Sequence, residues 1–95
     1  MATYFLIGKY SQQALGGISA DRTKKAAAAI EKLSGKIKSM HALLGDKDLI
    51  FVVELPGIKE AMKASMSLAK LTGIFFNTSE AVSIEEFDKL AKDVS

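Results

Sequence analysis

The sequence predicts an α+β domain in which two β-α-β units build one four-stranded antiparallel sheet, followed by a short helix. Segments 3–10 and 49–55 are rich in aromatic and β-branched residues, which is typical of strands. Segments 20–33 and 58–71 repeat apolar residues at helical spacing. A length of 95 residues fits one domain, residues 1–95.

The composition is that of a folded domain without cysteine chemistry. Hydrophobic residues make up 48% and charged residues 25%, so most of the chain should fold. Cysteine is absent, which excludes disulfides, thiolate zinc sites and a cysteine nucleophile. We see no signal-peptide pattern, and no apolar stretch approaches the roughly 18 residues of a membrane span. We therefore expect a cytoplasmic domain with no membrane partner.

The first half of the chain reads strand, helix, strand. Ser11 is predicted to cap a short helical turn, and Ser19 or Asp21 to cap the longer helix, because each side chain can accept a bond from a free backbone N–H. Gly35 is predicted to supply the left-handed residue that ends this helix. Residues 36–44 alternate loosely and predict the second strand.

The strongest strand, residues 49–55, precedes an amphipathic helix over residues 58–71. Gly45 favours a turn before the strand. Pro56 ends the strand because proline has no N–H to donate to the ladder. The apolar stripe of the helix is predicted to face the core. The stripe consists of Ile58, Ala61, Met62, Ser65 and Ala69, and Met66 and Leu68 widen the apolar surface.

The last quarter of the chain predicts an edge strand and a short helix. Residues 74–81 are more polar than the other strands, which fits a sheet edge or a subunit contact. Ser83 opens a Ser-x-x-Glu capping box, and the helix runs to about residue 91 with Phe87 and Leu90 as anchors. The order β-α-β-β-α-β is ferredoxin-like, and right-handed crossovers place both long helices on one face of the sheet.

The second face of this sheet has no predicted cover within the chain. Its expected apolar residues are Phe5, Ile7, Leu43, Ile50 and Val52. A domain this small has a thin stability margin, so leaving such a surface in water would be costly. We therefore predict a homodimer or larger homo-oligomer of the dimeric α/β-barrel type, with the terminal helix covering the rim at most.

Four polar side chains on this second face form the predicted ligand site: Lys9, Ser39, His41 and Glu54. The turn register predicts Glu54 directly across from Ser39 and diagonal to His41. His41 and Glu54 are therefore the candidate catalytic residues, as a proton-transfer pair. The alternative is a hydrogen-bonded histidine at a strand edge and a glutamate at a strand end. Lys9 lies at the far end of the sheet.

The sequence contains no pattern typical of a metal site, a phosphate-binding loop or a nucleic-acid-binding surface. The single histidine and scattered carboxylates lack metal-ligand spacing, and Gly16-Gly17 lacks the Lys and Ser/Thr of a phosphate loop, so we expect neither metal nor cofactor. Residues 1–47 hold eight basic and three acidic residues. No aromatic residues interleave with the basic cluster of Arg22, Lys24, Lys25, Lys32, Lys36 and Lys38, so nucleic acid is not an expected partner. Nucleic-acid binding through the basic first long helix is a third possible function.

Short segments along nearly the whole chain resemble the GYD family, bacterial and archaeal proteins of unknown function. They are residues 4–13, 44–54, 78–81 and 85–87. Gly45 and Asp48 match the family's signature before the strongest strand, whereas Lys47 stands where the family usually has tyrosine. The resemblance implies a ferredoxin-like fold and a dimeric α/β barrel. It implies no catalytic residues.

Together these observations predict a small homo-oligomeric module that binds an apolar ligand between protomers. The alternative is a cofactor-free isomerase or monooxygenase acting on an aromatic or cyclic substrate, as dimeric α/β barrels commonly host such reactions. That alternative is an analogy of fold, and fold does not imply function. The residues alone do not decide whether the protein is an enzyme, nor which ligand it binds.

Overall fold

The computed structural model describes residues 1–94 of the chain. These residues form β1 (Ala2–Lys9), α1 (Gln12–Gly16), α2 (Ala20–Glu31), β2 (Lys36–Ala42), β3 (Leu49–Leu55), α3 (Ile58–Thr72), β4 (Phe75–Ala81) and α4 (Ile84–Asp93). The strands form an antiparallel sheet in the order β2-β3-β1-β4, which confirms the predicted ferredoxin-like fold. No described helix has both the length and the apolar character needed to cross a bilayer.

The core lies between the sheet and the two long helices. The central strands β1 and β3 contribute Leu6, Val53 and Leu55, all without solvent exposure. Ile30 of α2 and Leu68 of α3 are equally buried against them. The alternation of β3 therefore places the wholly apolar face of the strand against the helices, as predicted.

Serine side chains cap the N-termini of three helices. Ser11 accepts a hydrogen bond from the backbone N–H of Ala14, and Ser19 accepts one from Arg22. At the start of α4, Ser83 accepts the N–H of Glu86 at 3.1 Å. These bonds satisfy N–H groups that have no partner within the helix. The predicted caps Ser11, Ser19 and Ser83 are confirmed.

The end of α2 differs from the prediction. Ser34, not Gly35, takes the left-handed conformation, with φ of 62°. The N–H of Gly35 donates to the carbonyl of Ile30 at 3.1 Å, which is the bond of a Schellman motif. Glycine is required at position 35 for space, because an added Cβ would lie 2.6 Å from Leu55 Cδ2.

The predicted buried stripe of α3 is wrong for its largest members. Ala61, Ala64, Leu68 and Thr72 face the sheet. Ile58, Met62 and Met66 are instead 61%, 58% and 60% exposed. The small alanines let α3 approach the sheet closely. Compared with the prediction, α3 is therefore rotated about its own axis. The long side chains of Ile58, Met62 and Met66 lie beside the edge strand β4 instead of against the sheet.

The terminal helix α4 extends away from the rest of the molecule. Every described residue of α4 is exposed, so Phe87 and Leu90 do not anchor it. The molecule measures 49 × 30 × 18 Å, and its radius of gyration is 14.5 Å. A compact domain of this length has a radius of gyration of about 12 Å. Within residues 1–94, α4 therefore leaves the sheet face uncovered, as predicted.

Candidate functional site

The open face is the sheet surface turned away from α2 and α3. At its centre Phe5 pairs with Val52 and Ile7 pairs with Ile50, so these four apolar side chains lie side by side. All four are half-buried by their neighbours in the sheet. Leu43 lies beyond the end of β2, which stops at Ala42 rather than at residue 44. The predicted apolar centre of the open face is therefore present without Leu43.

A bulge in β2 changes which polar residues meet. The register shifts between Ile37 and Ser39, so Ser39 pairs with Val52 while Glu54 pairs with Lys36. The predicted Ser39–Glu54 pairing is wrong, because it assumed an unbroken ladder. His41 pairs with Ile50, four residues from Glu54 along β3. At 3.3 Å per residue this separation is about 13 Å, so His41 and Glu54 cannot exchange a proton within one chain.

The four predicted ligand-binding residues share the open face but border three separate cavities. Ser39 and Glu54 line a cavity of about 750 Å³ at one end of the face, with Phe5 and Val52 in its floor. His41 borders a cavity of about 220 Å³ beside α2. Lys9 borders one of about 400 Å³ at the opposite end. The first cavity falls within the size range of small-molecule sites.

The large cavity combines an apolar floor with a charged rim. Beside Ser39 and Glu54 its rim includes Lys38, Glu80 and Glu86. Glu86 belongs to α4, so the first turn of that helix reaches the rim and no further. An apolar floor with a few polar groups at the rim is the lining typical of small-molecule pockets.

Lys9 helps to fix the β2–β3 loop rather than standing free. Its Nζ donates to the carbonyl of Asp46 at 2.9 Å and lies 3.6 Å from the Asp46 carboxylate. Asp48 holds the same loop to β1, because its carboxylate accepts the N–H of Tyr10 at 2.8 Å. Gly45 has φ of 131°, which glycine adopts without strain. The two residues that match the family signature, Gly45 and Asp48, therefore shape this hairpin.

One aromatic residue of the open face escaped the sequence prediction. Phe75 pairs with Lys9 and is 75% exposed. The next residue, Phe76, faces the helices, and its ring centroid lies 5.4 Å from that of Phe51 with the two rings tilted at 42°. Two adjacent aromatic residues in a strand must face opposite sides, so the pair itself was the signal. The polar remainder of β4 concealed it.

Tyr4 belongs to the helix side of the sheet and is part of the buried core. Its hydroxyl donates to Glu80 Oε1 at 3.4 Å. Burial raises the pKa of the Tyr4 phenol, and the nearby carboxylates of Glu80 and Glu60 raise this pKa further. Among residues 1–94, no three histidine or acidic side chains cluster as metal ligands would.

Comparison with known proteins agrees with this geometry. The model of the GYD domain matches residues 4–91. The chain belongs to the GYD domain family. No curated protein matches it in sequence.

Among solved structures, the GYD domain is similar to the leucine response regulatory protein LrpA of Mycobacterium tuberculosis. The TM-score is 0.57 at 8% sequence identity, over 86% of this chain. The match covers 51% of the LrpA chain, so this domain spans about half of that protein. At this identity the similarity concerns the fold alone, and it agrees with the ferredoxin-like order described above.

Proposed function

We propose that this GYD domain is a homo-oligomeric module that binds a small apolar ligand on its open face, between two protomers. The observation that carries the proposal is the uncovered apolar centre of that face beside the 750 Å³ cavity. The module would form a dimeric α/β barrel in which the two open faces pack together. A two-fold axis through the face makes one surface serve both partners.

The gain from covering the face depends on what remains exposed. Burying a fully exposed large apolar side chain gains roughly 1.5–3 kcal/mol. Phe75, at 75% exposure, approaches that gain, whereas Phe5, Ile7, Ile50 and Val52 are already half-buried and gain less. The apolar contact alone therefore favours a dimer of moderate affinity. A ligand filling the cavity would add further contact and strengthen it.

The polar rim supports a ligand with one apolar and one polar end. Ser39 offers a hydroxyl, and Glu54 and Lys38 offer charges of both signs. A free aliphatic amino acid has a cationic ammonium group, an anionic carboxylate and an apolar side chain. The name of the structural neighbour LrpA describes a regulator that responds to leucine. Leucine is therefore the first compound to test.

The proposal is tested by native mass spectrometry and by thermal unfolding with leucine and other small apolar compounds. We expect a dimer mass, with either a retained small molecule or an increase in Tm on adding ligand. A ligand at 100 times its Kd stabilises by about 2.7 kcal/mol, or roughly 10–20 °C in a domain of this size.

Matched variants locate the ligand. Ser39→Ala and Glu54→Gln should reduce the ligand-induced increase in Tm, because both residues line the cavity. Ser67→Ala, an exposed residue of α3, should leave it unchanged. Equal responses in all three variants, or no retained molecule and no response to any compound, would contradict ligand binding on this face.

Catalysis is not part of the proposed function. With His41 and Glu54 separated by about 13 Å along the sheet, a proton-transfer pair would need one residue from each protomer. The enzyme alternative therefore predicts that a dimer interface brings His41 of one chain to Glu54 of the other. If the dimer converts a substrate and the His41→Ala dimer does not, that loss of activity would support the enzyme alternative.

Nucleic acid remains outside the proposed partners. Within the basic region, the guanidinium of Arg22 lies 5.6 Å from the ring centroid of Tyr10, and Lys25 pairs with Asp21 at 3.2 Å. These contacts engage part of the basic surface within the chain. Duplex DNA titrated at low salt tests the prediction, because phosphate-driven affinity would fall steeply as salt is added.

A further inference from the structure

A second apolar surface lies on the helix side of the sheet, opposite the open face. We call it the α3–β4 groove; its lining includes Tyr4, Ile58, Met62, Ser65, Met66 and Glu80. Its volume is about 420 Å³. Ile58, Met62 and Met66 form one wall, each about 60% exposed. Methionine side chains adapt to the shape of a partner, which makes such a wall suitable for docking.

The helix α4 presents an apolar stripe that packs against nothing in the described chain. Its members Ile84, Phe87, Leu90 and Val94 are 72%, 57%, 56% and 86% exposed. Their spacing of three and four residues places them on one side of the helix. An isolated helix of this length is marginal in water, so α4 needs a surface to pack against.

The α4 stripe and the α3–β4 groove match in length. The stripe spans eleven residues from Ile84 to Val94, which are ten steps along the helix and about 15 Å. The wall of the groove spans nine residues from Ile58 to Met66, which are eight steps along the helix and about 12 Å. An amphipathic helix lying in an apolar groove is a recurrent mode of recognition.

Helices α3 and α4 also carry net charges of opposite sign. Helix α4 (Ile84–Asp93) carries four acidic and two basic residues, a net charge of −2. Helix α3 (Ile58–Thr72) carries three basic and one acidic residue, a net charge of +2. Lys59 and Lys63 follow Ile58 and Met62 directly, so they flank the wall of the groove on its solvent side. Acidic residues beside the α4 stripe would meet these lysines on docking.

We propose that α4 of one chain docks in the α3–β4 groove of a second copy, and that the second copy returns the contact. Reciprocal exchange uses one pair of surfaces twice and therefore doubles the buried area. This doubling matters because stable interfaces bury about 1,200–2,000 Å² in total. The groove and the open face lie on opposite sides of the sheet, so the proposal does not rest on ligand binding or on sheet-to-sheet packing.

The absence of cysteine makes a direct cross-linking test possible. Met62→Cys and Phe87→Cys are made as separate chains, mixed and oxidised. A disulfide joining positions 62 and 87 can then form only between two chains. It requires the two Cα atoms to approach within about 7 Å. The matched control is Ser67→Cys mixed with Phe87→Cys, since position 67 lies on the same helix but away from the groove.

We expect the yield of the disulfide with Phe87→Cys to be roughly tenfold higher, or more, for Met62→Cys than for Ser67→Cys. The reason is that docking raises the local concentration of the two thiols. Met66→Cys, one helical turn further, serves as a second groove variant if the first folds poorly. Equal yields from groove and control variants would overturn the proposal. A Met62→Cys/Phe87→Cys chain that closes its own disulfide, with no product in the mixture, would also overturn it, because α4 would then fold back on its own chain.

Discussion

Gly35→Ala tests the packing between the end of α2 and the central strand β3. The added Cβ would lie 2.6 Å from Leu55 Cδ2, 2.7 Å from the carbonyl oxygen of Ile30 and 2.9 Å from Ile30 Cγ2. Both neighbours are fully buried, and one of the three atoms belongs to the backbone. None of them can move away freely, so α2 or β3 must shift.

The expected cost follows from this crowding. Inserting a methyl group into a packed interior destabilises by about 1–3 kcal/mol. For a domain of this size that corresponds to a decrease in Tm of roughly 5–20 °C. Domains of this kind have free energies of unfolding of about 5–15 kcal/mol, so the variant should fold but unfold at lower urea concentration.

The assay is urea unfolding followed by circular dichroism, with Gly16→Ala as the matched control. An added Cβ at Gly16 has no atom within 4 Å. Gly16 is the last residue of α1, so alanine there should be neutral or slightly stabilising. If Gly35→Ala unfolds at the same urea concentration as the unmodified protein, α2 does not pack on β3 in the way described.

Two further predictions concern single polar contacts. Asp48→Ala removes the acceptor for the N–H of Tyr10 and should cost about 1–3 kcal/mol in urea unfolding. Asp46→Ala, which removes only exposed ion pairs, should cost less than about 1 kcal/mol; equal costs would contradict a structural role for Asp48. Burial raises the pKa of Tyr4 above 10.0, so ultraviolet titration of Tyr10→Phe should show its remaining tyrosine ionising above that pH. Because folded Tyr4 keeps its proton longer than unfolded Tyr4, the stability it contributes is complete below pH 10 and is lost as pH rises through the folded pKa. Ionisation of Tyr4 at its ordinary pKa would contradict this environment.

Local signals made the order of elements predictable. The serine caps at positions 11, 19 and 83 each accept a bond from the residue three places further along, so both partners lie close together in the sequence. Alternation in β1 and β3 assigned each apolar residue to a face, because the side-chain period of a strand is two. The apolar residues of the open face can therefore be predicted from the sequence.

Features that depend on tertiary packing were not predictable in this way. The bulge between Ile37 and Ser39 leaves no clear mark in the sequence, yet it moves Glu54 away from Ser39. The rotation of α3 was hidden because Ala61 fits both a stripe that contains Met62 and a stripe that contains Ala64. Only the close approach of the alanines to the sheet decides which residues face inward.

The terminal helix shows the same limit most clearly. The spacing of Phe87 and Leu90 correctly predicts an amphipathic helix, because amphipathicity is a property of the helix alone. The spacing does not determine which surface the apolar side of the helix packs against. In the described chain that side faces solvent, and the sequence prediction of anchors within the chain is wrong.

The central claim is that the open face is covered by a second protomer. Sedimentation velocity of Phe87→Asp at micromolar concentration tests this most directly, because the variant disables the α4 stripe and leaves the open face intact. We predict a dimer for Phe87→Asp, and a folded monomer when Val52→Asp is added to place a charge at the centre of the open face. A Phe87→Asp protein that sediments as a monomer would contradict the claim.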